Sequence, residues 1–129
     1  MAHSSPHLLP WRTAIAWACR EEMNGADLLR GPVSVAVAFT FKRPASHYGT
    51  GKNASQLKRD APEGPIGREG DLDKHCRCVL DAITGVCIVD DRQVTELASV
   101  KVYCEGDEEE GVFIQVEEVP SGLTDSLHS

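Results

Sequence analysis

Four aspartates, in two closely spaced pairs, are the residues of this 129-residue chain whose types and spacing best suit chemistry. Asp71 and Asp73 flank Leu72 at the start of a predicted helix, and Asp90–Asp91 ends a short apolar segment after that helix. Clustered carboxylates repel one another unless a hard cation neutralises them, and Mg²⁺ takes such ligands while keeping waters. A metal held there could polarise a phosphate and activate water for phosphodiester hydrolysis. Spacing alone still favours the structural alternative, in which the same residues are a helix N-cap and a turn.

Other charged residues on the same predicted helix extend this cluster. Arg77 lies one turn after Asp73, where it could form an i,i+4 ion pair or supply a cation to a phosphate. Lys74 could contact a phosphate or simply be solvated, and Asp81, one turn after Arg77, is expected to be structural. The helix therefore carries one continuous polar face.

The cysteines and the hydropathy pattern bound the class of protein. Five cysteines with irregular spacing predict reduced, intracellular thiols, which indicates the cytoplasm. Cys76 and Cys78 would lie about 200° apart on a helix, which argues against shared zinc ligation. A thiol nucleophile is equally unsupported, because no base partner is recognisable. No apolar run approaches the ~18 residues of a membrane span, and the first residues lack the pattern of a secretory signal.

The elements that must position these residues follow from periodicity and capping. A helix is predicted from Pro10 and Trp11 to Asn24–Gly25, because apolar residues recur at helical spacing between a proline start and a glycine stop. A second helix is predicted from an N-cap at Asp71 to a C′ glycine at Gly85. The segments with strand character are 33–41, 93–103 and 111–119. This order predicts a single α+β domain over residues 1–129, with two main helices and a small mixed sheet.

A long basic segment, residues 42–70, separates the first of these strands from the second helix. It is rich in Gly and Pro and has little periodicity, so it is either functional or disordered. Its cations suit a phosphate backbone, although a solvated loop is an equally good interpretation. The candidate DNA-binding residues are Lys42, Arg43, Lys52, Lys58, Arg59 and Arg68, together with Lys74 of the helix. The tail at 120–129 has no core pattern and is predicted to be flexible.

The net charge of −7 argues against a nucleic-acid-binding protein when it is taken alone. Residues 1–70, however, hold nine Lys and Arg against six Asp and Glu, whereas residues 71–129 hold four against fourteen. Much of the acidity lies in a predicted hairpin turn at 105–110, for which a solvated turn is the simplest interpretation. The composition therefore permits DNA binding by the central loop, with a strong dependence on Mg²⁺ and salt.

The stretch DLDKHCRCVLDAITGVCIVDDRQVTELASVK, residues 71–101, resembles the signature region of the RusA family of Holliday junction resolvases, common in phages and prophages. That region has an Asp-x-Asp start, a Lys or Arg one turn on, a Leu-Asp-Ala-Leu-x-Gly-like turn, an Asp-Asp-x-Gln-Val segment and a later Lys. The matching residues here are Asp71, Leu72, Asp73, Lys74, Arg77, Leu80, Asp81, Ala82, Ile83, Gly85, Asp90, Asp91, Gln93, Val94 and Lys101. This combination is far more specific than Asp-x-Asp by itself, and the likeness covers roughly residues 10–118.

The resemblance implies a RusA-like fold and a structure-specific endonuclease that cuts symmetrically placed phosphodiester bonds in four-way DNA junctions. Such enzymes are Mg²⁺-dependent homodimers of DNA recombination and repair. By position, the catalytic and metal-binding carboxylates would be Asp71, Asp73 and Asp91, and the catalytic cation would be Arg77. Arginine keeps the charge but cannot give up a proton, so the role of phosphate clamp is retained while that of proton donor is put in doubt.

Two departures from the family pattern affect the expected function. Family members usually begin with a strand and a segment rich in Gly, Pro, Lys and Arg ahead of the first helix, but this chain has only MAHSSPHLL there. The basic residues before Asp-x-Asp are reduced to Arg68. Both differences predict weaker DNA binding. Two alternatives to the enzyme therefore stay open. One is a non-catalytic module that binds junctions or a partner resolvase, and the other is a small acidic interaction protein.

Overall fold

The computed structural model describes residues 11–67 and 69–120, together with the backbone of residues 2–4. In chain order the elements are β1 (Ala2–Ser4), α1 (Trp11–Met23), β2 (Val33–Phe41), α2 (Leu72–Ile83), β3 (Val94–Tyr103) and β4 (Gly111–Glu118). Short 3₁₀ turns lie at Ala45–His47, Gly51–Asn53 and Asp91–Gln93. Two helices and one mixed sheet confirm the predicted α+β fold.

The strand β2 is central to the sheet, because it is paired along both edges. The strand order is β1-β4-β2-β3, with β2 parallel to β3 and antiparallel to β4. Every second residue of β2 is buried, which follows from the alternation in VSVAVAFTF. The buried set is Val33, Val35, Val37, Phe39 and Phe41. A parallel pair of strands needs a crossover connection, so the long loop and α2 pass over the sheet between β2 and β3.

The helix α2 presents its apolar face to the core and its polar face to solvent. Asp71 is the N-cap residue, and Gly85 follows the C-cap with a φ of 84°, a conformation that favours glycine. The buried residues of the helix are Cys76, Val79, Ala82 and Ile83. Since this face belongs to the core, Asp73 and Arg77 lie on the exposed face, one turn apart.

The helix α1 packs beside α2 over the same core and buries Ala14, Ile15 and Cys19. The Cys19 thiol is next to Cys87, and a hydrogen bond between them, together with burial, raises the pKa of Cys19. All five cysteines are free thiols, as the irregular spacing predicts. None of the helices in the described ranges combines the length and the apolarity that a membrane crossing needs.

The burial pattern of β3 differs from the one that its sequence suggests. Val100 and Val102, whose alternation predicts the strand, are 50% and 39% exposed. They share the outer face of the sheet with Phe113 of β4, while Lys101 and Tyr103 take the helix side. β3 is therefore an edge strand whose alternating valines point away from the core. Period-two patterning identifies the strand but does not decide which face is buried.

The N-terminal residues correct an expectation drawn from the sequence. Ala2–Ser4 pairs antiparallel with β4, with Ser4 opposite Val112. The short segment MAHSSPHLL predicts that a sheet edge strand is missing. That expectation is wrong, because three of its residues pair with the free edge of β4. Beyond Pro120, the predicted flexible tail at 120–129 lies outside the described residues. Arg68, one of the candidate DNA-binding residues, is also outside them.

Candidate active site

The Asp-x-Asp segment is positioned by hydrogen bonds to the turn that precedes α2. Lys101 Nζ, from β3, donates to the Gly70 carbonyl at 2.7 Å. His75 Nε2 lies 2.6 Å from the Glu69 carbonyl and carries the proton of this bond, because a carbonyl only accepts. Gly70 has a φ of 92°, which favours glycine, so the backbone leading into Asp71 has little freedom.

His75 is itself held by a stack of aromatic rings. Its ring centroid lies 4.6 Å from Trp11, 5.2 Å from Phe39 and 6.0 Å from Phe41. These rings come from α1 and β2, so the first turn of α2 is fixed against both elements. No spacing in the sequence identifies His75 as a site residue, because its aromatic partners come from distant segments.

The turn that carries Asp90 and Asp91 is fixed by Gln93. The Nε2 group of Gln93 donates to the carbonyls of Leu29 and Gly31 at 2.8 and 2.9 Å, which ties the turn to the segment before β2. Its Oε1 atom accepts two backbone N–H groups of the turn, at 2.8 Å each. Asp90 completes a capping box with Gln93. The backbone at Asp91 is therefore held from both sides.

Asp90 and Asp91 have different partners. Asp90 accepts the backbone N–H of Arg92 at 2.8 Å and pairs with its guanidinium at 3.2 Å. The backbone bond, and after it the guanidinium, favours the carboxylate and holds the pKa of Asp90 below its ordinary value. Asp90 is thus a structural residue of the turn, which leaves Asp91 as the carboxylate that contacts α2.

Arg77 joins α2 to this turn. Its Nη2 atom lies 2.5 Å from Asp91 Oδ2 and 3.3 Å from Asp81 Oδ1. The hydrogen bond that Arg77 donates to Asp91 raises the pKa of Arg77, so the guanidinium stays cationic. The three side chains are between 37% and 53% exposed, so the pair is open to solvent. Of the two roles considered for Arg77, an ion pair is formed, but with Asp81 and Asp91 rather than with Asp73.

The predicted metal ligands are not gathered into one group. Among the residues described, no three or more His, Cys, Asp or Glu side chains lie close enough to hold one metal ion. Asp71 lies 3.6 Å from Lys74, and Asp91 is bonded to Arg77, so each has a protein cation as partner. The donor chemistry still suits Mg²⁺, which takes one or two carboxylates and keeps other positions for water or phosphate. Asp71 and Asp73 fit that requirement, since both are exposed at the start of α2.

The basic loop has an internal structure of its own. Arg43 Nη1 donates to the Pro62 carbonyl at 2.6 Å, and the guanidinium lies 4.2 Å from the centroid of the Tyr103 ring. Arg43 therefore stabilises the loop against β3, a role that its charge alone does not reveal. The other loop cations among the described residues are exposed and available to a phosphate backbone: Lys42, Lys52, Lys58 and Arg59.

Comparison with protein families identifies the family of the chain. A family model described as endodeoxyribonuclease RusA matches residues 2–117. The chain belongs to the RusA endodeoxyribonuclease family. RusA proteins are DNA endonucleases of the junction-resolving kind, and nucleases of this kind generally use a divalent metal. A comparison with curated proteins returned no match.

The structure gives physical reasons for several residues of the RusA signature. Gln93 holds the Asp90–Asp91 turn, and Lys101 holds the turn before Asp71. Arg77 connects α2, which begins after Asp71, to the Asp90–Asp91 turn. The signature therefore contains residues that orient the carboxylates as well as the carboxylates themselves.

Proposed function

We propose that the chain is a Mg²⁺-dependent, structure-specific endonuclease that resolves four-way DNA junctions in the cytoplasm of a bacterial or phage-infected cell. The observation that carries the proposal is the contact between Arg77 and Asp91, which joins the two halves of a RusA signature across the molecule. The exposed Asp71 and Asp73 lie on the same helix as Arg77. A cation and three carboxylates on one exposed surface suit phosphodiester hydrolysis.

Each side chain has a defined task in this proposal. When bound, Mg²⁺ polarises the phosphate and lowers the pKa of a water molecule. Asp71 and Asp73 supply ligand oxygens at the start of α2. Arg77 exchanges an Asp91 oxygen for a phosphate oxygen, which frees the Asp91 carboxylate and stabilises charge on the phosphate. Arg77 does not donate a proton, because its pKa is raised.

A homodimer belongs to the same proposal. A four-way junction offers two equivalent scissile phosphates related by a two-fold axis, whereas one chain holds one set of Asp71, Asp73, Asp91 and Arg77. Two-fold dimers are the commonest way in which soluble proteins match such symmetry. The strand β1 favours this enzyme over a non-catalytic module, since the absence of a strand ahead of the first helix was one reason for considering the module.

The replacement Asp73→Asn tests the assignment. The amide has the shape of the carboxylate but lacks its charge, so we expect cleavage of a synthetic four-way junction in Mg²⁺ to fall about 100-fold or more. Junction binding in EDTA should be retained or slightly strengthened, because the change removes a negative charge and no cation. Asp27→Asn, at an exposed position before β2, is the matched control and should cut like the wild type.

Mixed dimers extend this experiment. When wild-type and Asp73→Asn chains are combined, we expect junctions that are nicked on one strand, because one subunit of each mixed dimer is inactive. Full cleavage by Asp73→Asn protein would refute the site. Resolution without accumulation of nicked junctions in the mixture would refute the dimer.

A further inference from the structure

A second surface lies next to the carboxylates of the candidate site. It is a cleft of about 740 Å³ between α1 and the turn that carries Asp91, within the usual range for binding clefts. Its α1 wall is formed by Arg12, Thr13, Ala16, Trp17 and Arg20, and Asp81, Asp90 and Asp91 contribute to the facing wall. Because Asp91 contacts Arg77 at 2.5 Å, the cleft opens directly onto the site.

The α1 wall has the composition of a nucleic-acid contact. Trp17 is 58% exposed, and it makes no ring contact with any other residue that the structure describes. Arg12 and Arg20 are exposed on either side of it. They are eight residues apart, roughly 12 Å along the helix axis. That distance corresponds to about three or four steps along one strand of duplex DNA, which advances ~3.4 Å per phosphate, and to fewer nucleotides of an extended single strand.

The facing wall does not neutralise these arginines. Asp81 and Asp91 are paired with Arg77, and Asp90 is paired with Arg92. Within the described part of the chain, neither Arg12 nor Arg20 forms an ion pair. The cleft therefore offers two cations to a ligand, and each of its three carboxylates has a protein partner, although Asp81 and Asp91 share the single charge of Arg77.

We propose that this cleft binds the DNA strand next to the scissile phosphate, with Arg12 and Arg20 on its phosphates and Trp17 stacked on an unpaired base. The inference rests on the proposed function and adds a DNA contact outside the basic loop. Two arginines flanking an exposed indole suit a single strand, since bases stack on aromatic rings and phosphates pair with guanidinium groups. The bases at the centre of a branched DNA are the ones available for such stacking.

The test measures binding of a fluorescent four-way junction by anisotropy, in EDTA and over a series of salt concentrations. For the double variant Arg12→Ala/Arg20→Ala we expect the slope of log affinity against log salt to fall by about two, one for each lost phosphate contact. Arg30→Ala, an exposed arginine that does not line the cleft, should leave the slope unchanged.

The indole is tested separately. We expect Trp17→Leu to weaken junction binding about tenfold with no change in the salt slope, and Trp17→Phe to restore most of the affinity, because only the aromatic variant can stack. Phe113→Ala, an exposed aromatic on the outer face of the sheet, is the control.

The outcomes separate this proposal from the proposed function. If the wild type binds and cuts the junction while all cleft variants keep its slope and affinity, the cleft is not a DNA site but the enzyme assignment stands. If the cleft variants differ from the wild type only in oligomeric state by light scattering, the cleft is an interface between subunits and the proposal fails. If the wild type neither binds nor cuts, both proposals fail.

Discussion

Arg77 holds a position that a lysine would fill differently. Its planar guanidinium contacts Asp81 and Asp91 at once, which bridges α2 and the turn before β3. A lysine would offer a single compact charge that cannot present two donors in a fixed plane. The raised pKa of Arg77 means that its charge does not change over the working range of the enzyme. Arg77 therefore holds its two carboxylate partners with a positive charge that does not vary with pH.

Substitution of Arg77 separates charge from geometry. We expect Arg77→Ala to lower the rate of junction cleavage about 100- to 1,000-fold, the usual effect of losing one charge-stabilising donor. Arg77→Lys should recover part of the rate below pH 9 and lose it as the pH approaches ~10.4, where a lysine titrates. The wild type should show no such alkaline loss from this residue.

The contribution of the Arg77 ion pairs to stability does not change between pH 7 and pH 9. A cation whose folded pKa is raised contributes its full stability at every pH below its unfolded pKa. Both pH 7 and pH 9 lie below the unfolded pKa of arginine, so the Arg77 pairs contribute equally at these two values.

Arg92→Ala, which removes the neighbouring partner of Asp90, is the matched control for Arg77→Ala. It should lower the rate of junction cleavage less than Arg77→Ala does. Equal losses in the two alanine variants would contradict the assigned role.

At the scale of secondary structure, two sets of long-range hydrogen bonds, here called tethers, position the candidate site. Gln93 connects the turn before β3 to the segment before β2, and Lys101 connects β3 to the turn before α2. Both tethers originate in or beside β3, the edge strand. This strand has little apolar burial, so polar contacts to its neighbours have an unusually large part in holding the site together.

Gln93→Leu tests the first tether. It removes four hydrogen bonds, each worth about 0.5–1.5 kcal/mol net, and exposure of some of them to water reduces the sum. We expect the free energy of unfolding in urea to fall by about 2 kcal/mol, and cleavage to fall further because Asp91 loses its support. Gln56→Leu, in the exposed loop, should change neither quantity. An unaltered unfolding midpoint for Gln93→Leu would refute the tether.

The elements themselves are largely predictable from the sequence, whereas their contacts are not. The nine residues of β2 and the capped helix α2 follow from local period and local chemistry. The bond from Lys101 to Gly70 and the ring contacts of His75 with Trp11 and Phe39 join segments that only the fold brings together, so no local pattern indicates them. The outward valines of β3 were unpredictable for a related reason. Burial of a strand face depends on which element covers it.

At the scale of the whole molecule, the charges are divided along the sheet. The acidic turn joins β3 to β4 at the end of β2 where the basic loop begins, and the Lys42 amide donates to the Glu110 carboxylate at 2.8 Å. An acidic segment therefore lies beside the loop whose cations are proposed to contact DNA. A DNA strand that follows the loop would meet repulsion from this turn, so we expect junction binding to be weak at low Mg²⁺ in a protein whose net charge is −7.

Neutralising the acidic turn tests this electrostatic arrangement. Glu108 and Glu109 are exposed, so Glu108→Gln/Glu109→Gln removes two charges without disturbing the core. In EDTA and about 50 mM salt we expect junction affinity to rise about threefold, and the gain to vanish near 0.5 M salt, where the Debye length is only a few ångströms. Asp27→Asn/Glu118→Gln makes the same change in net charge at the opposite end of β2 and should raise the affinity less. Equal gains in the two double variants would mean that net charge alone, and not the position of the acidic turn beside the loop, limits DNA binding.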